Sequence, residues 1–284
     1  LTNQTITVQV MGDTVMESNE TFFVNLSGES GATLFKGQGV GTIIDDESRV
    51  TIDDVTINEL DVATNAVFKV SLNKINTNIV TLSYATLNIT AAAGADYTAV
   101  SGTLIFPPGT TNQTITVSVA GDLLNELTET FAVVLSSSSN APLARTQGIC
   151  TILDNDPFPG LSVTNAITVL EGNSGTTTNA VFAVRLTSAS GQLITVDFVT
   201  GVGRTNTALA SAGADYLAAS GTLVFAPGVT SNAVPVTLIG DALHEADETF
   251  SVRISNPVRA TNVVGQDIGY CTIQNDDSAP ILSV

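Results

Sequence analysis

The chain has 284 residues, of which 43% are hydrophobic, and its 27 acidic and 9 basic residues give a formal net charge of −18. This charge excludes nucleic acid and anionic membrane surfaces as expected partners, because both repel an acidic protein. No apolar run approaches the roughly 20 residues that a membrane-spanning helix needs, so we expect no direct membrane insertion. The length and hydrophobic content are typical of two or three folded domains.

The chain opens on LTNQTITVQV (1–10), whose alternation of apolar and polar residues predicts a β-strand. A Gly-Asp pair followed by Glu-x-x-Glu-Thr-Phe then occurs three times. The copies read GDTVMESNETF (12–22), GDLLNELTETF (121–131) and GDALHEADETF (240–250). Each copy leads to an acidic cluster: IIDDE (43–47), ILDND (152–156) and IQNDD (273–277). Repetition at this period predicts a row of similar domains.

The repeats also predict the domain boundaries. LTNQTITVQVMGD (1–13) matches TTNQTITVSVAGD (110–122), so the chain begins within a repeat, and PILSV (280–284) matches the start of another, PGLSV (159–163). We therefore predict the C-terminal half of a domain, two complete domains and the first strand of a following domain, at 1–47, 48–156, 157–277 and 278–284. This organisation predicts a segment of a longer array. The alternative is a protomer whose half domain is completed by another copy.

The complete repeats are predicted to be all-β. In repeat two, alternating segments rich in Val, Ile, Thr and Phe lie at 66–72, 79–86, 102–107, 113–119 and 130–135, and in repeat three at 180–186, 193–200, 221–226, 233–239 and 249–254. Gly, Asn, Ser and Pro separate them. About seven strands in such a length predict a two-sheet antiparallel β-sandwich. Six phenylalanines at equivalent positions are predicted to be core: Phe68, Phe106, Phe131, Phe182, Phe225 and Phe250.

The two cysteines lie at equivalent positions on the last strand of different repeats. Cys150 and Cys271 are therefore too far apart for a disulfide and are predicted to be buried thiols. Doing without disulfides in a chain with an extracellular composition is more typical of bacterial surface proteins than of animal ectodomains.

The acidic residues recur at equivalent positions of the repeats, in turns and at strand ends. The half repeat carries the predicted ligands as Asp13, Glu17, Asp45 and Asp46, and a further acid recurs before Thr-Phe as Glu20, Glu129 and Glu248. Oxygen ligands without histidine or cysteine select a hard cation, and several carboxylates in loops favour Ca²⁺ over Mg²⁺. The alternative is that these acids only cap turns and keep the array soluble.

Several motifs together resemble the Calx-β domain family. They are the glutamate of the second turn, Gly-Ala-Asp-Tyr (94–97 and 213–216), Gly-Thr-Leu-x-Phe, the Gly-Asp…Glu-x-x-Glu-Thr-Phe motif and the closing Asp/Asn triplet. The resemblance covers essentially the whole chain. It implies tandem immunoglobulin-like β-sandwiches, arranged as an elongated array with Ca²⁺ at one tip of each domain, near the junction with the next.

The resemblance also implies the calcium ligands. In repeat two they are Glu59, Asp96, Asp122, Glu126, Asp154 and Asp156, and in repeat three Glu171, Asp215, Asp241, Glu245, Asp276 and Asp277. This chain keeps one Asp where the best calcium-binding members carry two or three before the Glu pair, and Asn155 and Asn275 dilute the closing triplets. Fewer charges predict fewer or weaker sites.

The sequence favours a non-enzymatic function. His244 is the single histidine and lies in a loop position that varies between repeats, with no nucleophile arranged around it. We expect an extracellular structural or adhesive array, at the cell surface or secreted, stiffened by Ca²⁺ at its domain junctions and able to form part of a fibre. Its partners would be neighbouring domains of a longer chain or other copies of itself. The alternative is a regulatory calcium sensor whose interdomain angle changes when the ion binds.

Overall fold

The structure is a computed structural model, and it describes residues 3–13 and 17–282. Every regular element in these ranges is a β-strand, and none of the described residues forms a helix long and apolar enough to cross a membrane. The chain divides into two compact units. The first is Leu1–Gly121 with Thr128–Leu153, and the second is Asp122–Leu127 with Asp154–Val284.

Repeat one contributes one hairpin to the first unit. Strand β1 (Glu20–Asn25) pairs antiparallel with β2 (Gln38–Ile43), and Glu20 lies opposite Ile43. The strand predicted at 1–10 is wrong for residues 3–10, which form none, and residues 1 and 2 lie outside the described residues. Alternation alone does not make a strand, because the backbone needs a neighbouring strand to accept its hydrogen bonds.

Repeat two is a two-sheet sandwich. Its strands are β3 (Val50–Ile52), β4 (Val55–Asn58), β5 (Thr64–Leu72), β6 (Val80–Asn88), β7 (Ser101–Phe106), β8 (Asn112–Val119), β9 (Glu129–Ser139) and β10 (Gln147–Leu153). One sheet has the order β4-β10-β9-β6-β7 and the other β3-β5-β8. All pairs are antiparallel except β4 with β10, which is parallel. The first extended segment of the repeat is therefore interrupted at residues 53 and 54, so that β3 belongs to one sheet and β4 to the other.

Repeat three has the same architecture in the second unit. Its strands are β11 (Gly160–Val163), β12 (Ala166–Leu170), β13 (Thr177–Leu186), β14 (Ile194–Val202), β15 (Ala208–Leu209), β16 (Ser220–Phe225), β17 (Ser231–Ile239), β18 (Glu248–Val258), β19 (Thr261–Asn262) and β20 (Ile268–Gln274). The sheets have the orders β12-β20-β18-β14-β16, with β15 beside β18, and β17-β13-β11-β19. The short C-terminal segment shows no strand at 278–282, and residues 283 and 284 lie outside the described residues. The strand predicted there stays a prediction.

The core of each sandwich lies between its two sheets, as the alternation predicts. All six phenylalanines predicted as core are fully buried. In repeat three, Tyr216 stacks on Phe250 with ring centroids 4.4 Å apart, and Phe182 meets the same ring edge-on at 5.9 Å. Phe131 is packed in the same way by its counterparts in repeat two. In repeat three, Asp215 directly precedes Tyr216, and Glu248 lies two residues before Phe250, so two of the acids adjoin this aromatic triplet in the chain.

Both cysteines are free thiols at positions with no exposed surface, which confirms the prediction that they are buried. Burial raises the pKa of the Cys150 thiol to about 11, because the apolar surroundings disfavour the thiolate.

Candidate metal centre

Seven carboxylates meet where several strands of repeat three end. This third-repeat cluster comprises Glu171, Asp215, Asp241, Glu245, Glu248, Asp276 and Asp277. Its oxygens form three groups in which all atoms lie within 4.8 Å of one another: Asp215, Glu245 and Glu248; Glu171, Asp241 and Glu245; and Glu171, Asp276 and Asp277. Because Glu171 and Glu245 each belong to two groups, the three groups are contiguous.

The ends of two strands position the centre of the cluster. Glu171 directly follows β12 and is only 4% exposed, and its N–H donates to the carbonyl of Gln274 at the end of β20, at 3.0 Å. Asp241 comes two residues after the end of β17, and its Oδ1 accepts the N–H of Leu243 at 2.6 Å. This turn fixes one carboxylate oxygen of Asp241 on its own loop, and an Asp241 oxygen lies within 4.8 Å of oxygens of Glu171 and Glu245.

The closing triplet holds the loop that carries Glu245. Asn275 Oδ1 accepts the N–H of Glu245 at 3.1 Å, and Asp276 Oδ1 accepts the N–H of Gly172 at 3.2 Å. Asp277 differs, because its Oδ2 is buried and has no hydrogen-bond partner. A buried carboxylate oxygen without a donor is costly, and a bound cation would satisfy it.

Asp215 is placed by the core beneath it. Its Oδ2 accepts the N–H of Ser211 at 2.5 Å within the Gly-Ala-Asp-Tyr turn, and the next residue, Tyr216, stacks on Phe250. Glu248 lies two residues before Phe250 and begins β18. The same aromatic stack therefore fixes the positions of Asp215 and Glu248.

The predicted ligands of repeat two are divided between the two compact units. Glu59 and Asp96 lie in the first unit, where Asp96 and Glu129 carboxylate oxygens are within 4.8 Å of each other. The other four lie in the second unit: Asp122, Glu126, Asp154 and Asp156. There, Asp154 accepts the N–H of Glu126 at 3.1 Å and the side-chain amide of Asn125 at 2.9 Å. The turns repeat those of repeat three, since Asp122 Oδ1 accepts the N–H of Leu124 at 2.7 Å.

The four predicted ligands of repeat one are Asp13, Glu17, Asp45 and Asp46. They line one open pocket of about 400 Å³, and Glu20 and Glu47 line the same pocket. Asp45 Oδ1 accepts the N–H of Glu17 at 3.2 Å, and the N–H of Asp45 donates to Asn19 at 3.0 Å. The set thus lines one pocket, but among the described residues no three of these four carboxylates form a group with oxygens within 4.8 Å of one another.

The recurring motifs and the repeated sandwich match a known domain family. The Calx-β domain model matches residues 1–47, 43–156 and 164–277. The chain belongs to the Calx-β domain family. This confirms the family that the motifs indicate and, with the observed sheets, the all-β sandwich class.

Three curated relatives show the context of such domains. Adhesion G-protein coupled receptor V1 of Danio rerio is 29% identical over 180 residues, which are 57% of this chain and 3% of the receptor. Extracellular matrix protein 3 of Lytechinus variegatus is 28% identical over 303 residues, 97% of this chain and 9% of that protein. Sodium/calcium exchanger 1 of Rattus norvegicus is 33% identical over 116 residues, 41% of this chain and 11% of the exchanger. The chain thus spans a small part of the length of each relative.

Among solved structures, the crystal structure of CBD12 from CALX1.2 aligns over 80% of this chain and 100% of its own length, with a TM-score of 0.37 and 21% identity.

The surroundings of two glutamates in the third Calx-β domain raise the pKa values of their carboxyl groups. Burial raises the pKa of Glu248 to about 7, and a hydrogen bond with Asp215 and the charges of Asp215, Glu245 and Glu171 act in the same direction. Burial also raises the pKa of Glu171, and the charge of Asp241 adds to the effect. In both cases the neighbouring charges that act on the carboxyl group are negative.

Glu129 and Glu248 recur before Thr-Phe in the sequence, and the structure brings Glu129 to Asp96 and Glu248 to Asp215. Sequence reasoning missed one amide that contacts these acids. Asn125 is 6% exposed and donates to Asp154 and to the carbonyl of Asp156. The equivalent positions in the other two motif copies are occupied by Met16 and His244, so Asn125 does not recur between repeats and the sequence pattern did not indicate it.

The raised pKa of Glu248 predicts a pH dependence of the metal-free protein. The folded state holds this proton more tightly than the unfolded chain, so the stabilising contribution is complete below the ordinary glutamate pKa of 4.5 and is lost as pH rises through about 7. In EDTA, we expect the melting temperature of the second unit to fall by a few degrees between about pH 5 and pH 8. Glu248→Gln should flatten this part of the profile. An unchanged slope in that variant would assign the pH dependence to other groups.

Proposed function

We propose that the chain is a non-enzymatic segment of an extracellular or cell-surface repeat protein, in which Ca²⁺ stabilises the loop ends of the Calx-β domains. The third-repeat cluster carries this proposal. Its seven side chains offer only oxygen, in three contiguous groups, and Asp277 contributes a buried oxygen with no hydrogen-bond partner. Such a donor set fits a hard divalent ion.

The energetics of the cluster favour an ion. Two like charges about 4 Å apart repel by roughly 4 kcal/mol at an effective dielectric constant of 20. Glu171 and Glu245 would each contribute to two ion positions, because each belongs to two groups. A pocket of about 10 Å³ lies between Glu171, Asp215, Glu245 and Glu248. This volume is about that of one water-sized ligand. The bound ion would supply positive charge and draw the loops at 171–172, 241–245 and 275–277 together.

The proposed location and partners rest on other features. Two relatives are, by name, an adhesion receptor and an extracellular matrix protein. The net charge of −18 disfavours nucleic acid and anionic lipid. The partners we propose are neighbouring domains of a longer chain or other copies of this one.

Calcium dependence of stability tests the proposal. An ion that binds only the folded state stabilises it by about 2.7 kcal/mol at a hundredfold excess over Kd. We therefore expect Ca²⁺ to raise the melting temperature of the wild type by several degrees over EDTA, and Glu171→Gln with Glu245→Gln to abolish the rise. Asp267→Asn is the matched control, because it removes an acidic charge that pairs with Arg253 instead. Equal melting temperatures of the wild type with and without Ca²⁺ would contradict the proposal.

A regulatory calcium sensor is the second candidate, and the similarity to sodium/calcium exchanger 1 favours it. X-ray scattering of the chain with Ca²⁺ and with EDTA separates the two functions. If the ion has a structural role, the mean radius of gyration stays the same when the ion is removed, and only the distribution of interatomic distances becomes broader. If the chain is a sensor, the radius of gyration changes from one defined value to another.

A further inference from the structure

Repeat three has an open cavity beside the point where its first extended segment passes from one sheet to the other. The cavity has a volume of about 420 Å³, and its lining includes Ser162, Asn165, Arg185 and Gln266. Ser162 and Arg185 lie opposite each other on the paired strands β11 and β13. Asn165 directly precedes β12, and Gln266 lies between β19 and β20. The cavity shares no lining residue with the third-repeat cluster.

The lining of this cavity carries positive charge only, although the whole chain has a net charge of −18. Arg185 is its single charged residue and is exposed, so a ligand can reach it. In the part of the chain that the structure describes, the guanidinium of Arg185 forms no ion pair, and the side-chain amides of Asn165 and Gln266 have no hydrogen-bond partner. One guanidinium and two amides can therefore donate hydrogen bonds to an anion.

Repeat two has the same crossing between sheets, which allows the two repeats to be compared residue by residue. A Cβ atom on Gly148 of β10 would lie 2.6 Å from the carbonyl oxygen of Asp53, and one on Gly269 of β20 would lie 2.2 Å from that of Thr164. The same close approach of the last strand to the crossing segment thus occurs in both repeats. Asp53 and Thr164 are therefore structurally equivalent.

The residue after this close approach is Asp54 in repeat two and Asn165 in repeat three. Asp54 Oδ1 accepts a hydrogen bond from Arg145 Nη2 at 2.5 Å and another from the N–H of Ile149 at 2.8 Å. The hydrogen bond from Arg145 and then that from Ile149 lower the pKa of Asp54. Repeat two therefore supplies its own carboxylate at this crossing, and the surroundings favour its charged form.

Repeat three has exchanged the members of this arrangement. Counted from the glycine of the last strand, Gln266 takes the position of Arg145. In the aligned strands β5 and β13, Arg185 takes the position of Ser71. Repeat three has therefore lost the internal carboxylate but has a guanidinium at the same crossing, on a different strand. A carboxylate from outside the chain would restore the pairing of charges that repeat two makes internally.

We propose that this cavity binds an aspartate or glutamate side chain of a partner polypeptide, whose carboxylate takes the place that Asp54 has in repeat two. Arg185 presents two parallel N–H groups to the carboxylate. The amides of Asn165 and Gln266 add hydrogen bonds to an ion pair that is weak by itself when exposed. The volume lies within the range of about 300–1,000 Å³ for ligand pockets, so residues next to the acidic one enter as well.

NMR titration of the ¹⁵N-labelled whole chain in EDTA tests this proposal. The probe is a capped Gly-Asp-Gly tripeptide, and the same tripeptide with asparagine is its control. Acetate is the third ligand, because it offers a carboxylate without a polypeptide. Arg185→Gln removes the positive charge, and Asn165→Asp puts a carboxylate of the chain into the cavity. Arg259→Gln is the matched control, because the guanidinium of Arg259 reaches the carbonyl of Leu193 in the same unit instead.

We expect the aspartate peptide to shift the backbone amide signals of residues 162–166 and 265–266, and the asparagine peptide to leave them unchanged. The dissociation constant should rise at least about tenfold in Arg185→Gln and in Asn165→Asp, as expected for losing a hydrogen bond to a charged group. It should stay the same in Arg259→Gln.

Two results would overturn the site: no shifts in the wild type at about 10 mM peptide, or equal affinities of the wild type and Arg185→Gln. Equal affinities for acetate and the aspartate peptide would overturn the assignment to a polypeptide partner. Because the titration is done in EDTA, none of these results depends on the proposed calcium function of the third-repeat cluster.

Discussion

Replacing Phe250 with alanine is expected to lower the free energy of unfolding of the second compact unit by about 3–5 kcal/mol, the range for a large buried aromatic side chain. Phe250 is fully buried and contacts the rings of Tyr216 and Phe182. The substitution removes these contacts and leaves a cavity between rigid sheets that cannot collapse to fill it. Denaturation in urea, followed by circular dichroism, measures the loss.

Phe158→Ala is the control for Phe250→Ala, because Phe158 belongs to the same unit but is 49% exposed. It should change the free energy of unfolding by about 0.5 kcal/mol or less. Phe250→Ala should also weaken the response to Ca²⁺, because the stack with Tyr216 fixes Asp215, and Glu248 lies on the same strand as Phe250. Equal urea midpoints for the two variants would show that the aromatic triplet does not carry the stability of this unit.

Much of the fold could be predicted from alternation and recurrence. The segments at 66–72 and 180–186 lie within β5 and β13, and the phenylalanines that recur between repeats are the buried ones. The parallel pairs β4–β10 and β12–β20 were not predictable, because the change of sheet at 53–54 leaves the alternation almost unbroken. The failure at 3–10 has the same cause, since pairing depends on a neighbouring strand that local pattern does not report.

The acids of the candidate centre were predictable because they recur at equivalent positions of the repeats. Acidic residues without a common role would not be expected to recur in this way. All six predicted ligands of repeat three belong to the third-repeat cluster. Asn125 occurs in one repeat only, so its contact with Asp154 depends on three-dimensional proximity. A sequence scan for repeated charges is insensitive to such a single residue.

The glycine that precedes the recurring aspartate of each motif copy is a further determinant of the third-repeat cluster in its third copy, Gly240. A Cβ atom at position 240 would overlap the carbonyl oxygen of Gly172 and lie 2.7 Å from that of Asn173. Both partners are backbone atoms, which cannot rotate away as a side chain does. Gly172 follows Glu171, and Gly240 precedes Asp241, so this close approach brings two of the proposed ligands together.

Gly240→Ala is therefore expected to destabilise the second unit by about 3 kcal/mol, the upper range for overpacking, and to abolish the rise in melting temperature with Ca²⁺. Gly12→Ala is the matched control, because Gly12 opens the first copy of the same motif and a Cβ there would meet no atom of the described residues within 4 Å. Its effect on urea denaturation should be small. Equal losses in the two variants would mean that the motif glycine acts through its own backbone conformation. A loss confined to Gly240→Ala would show that the glycine is needed because two loops must meet before their carboxylates can share an ion.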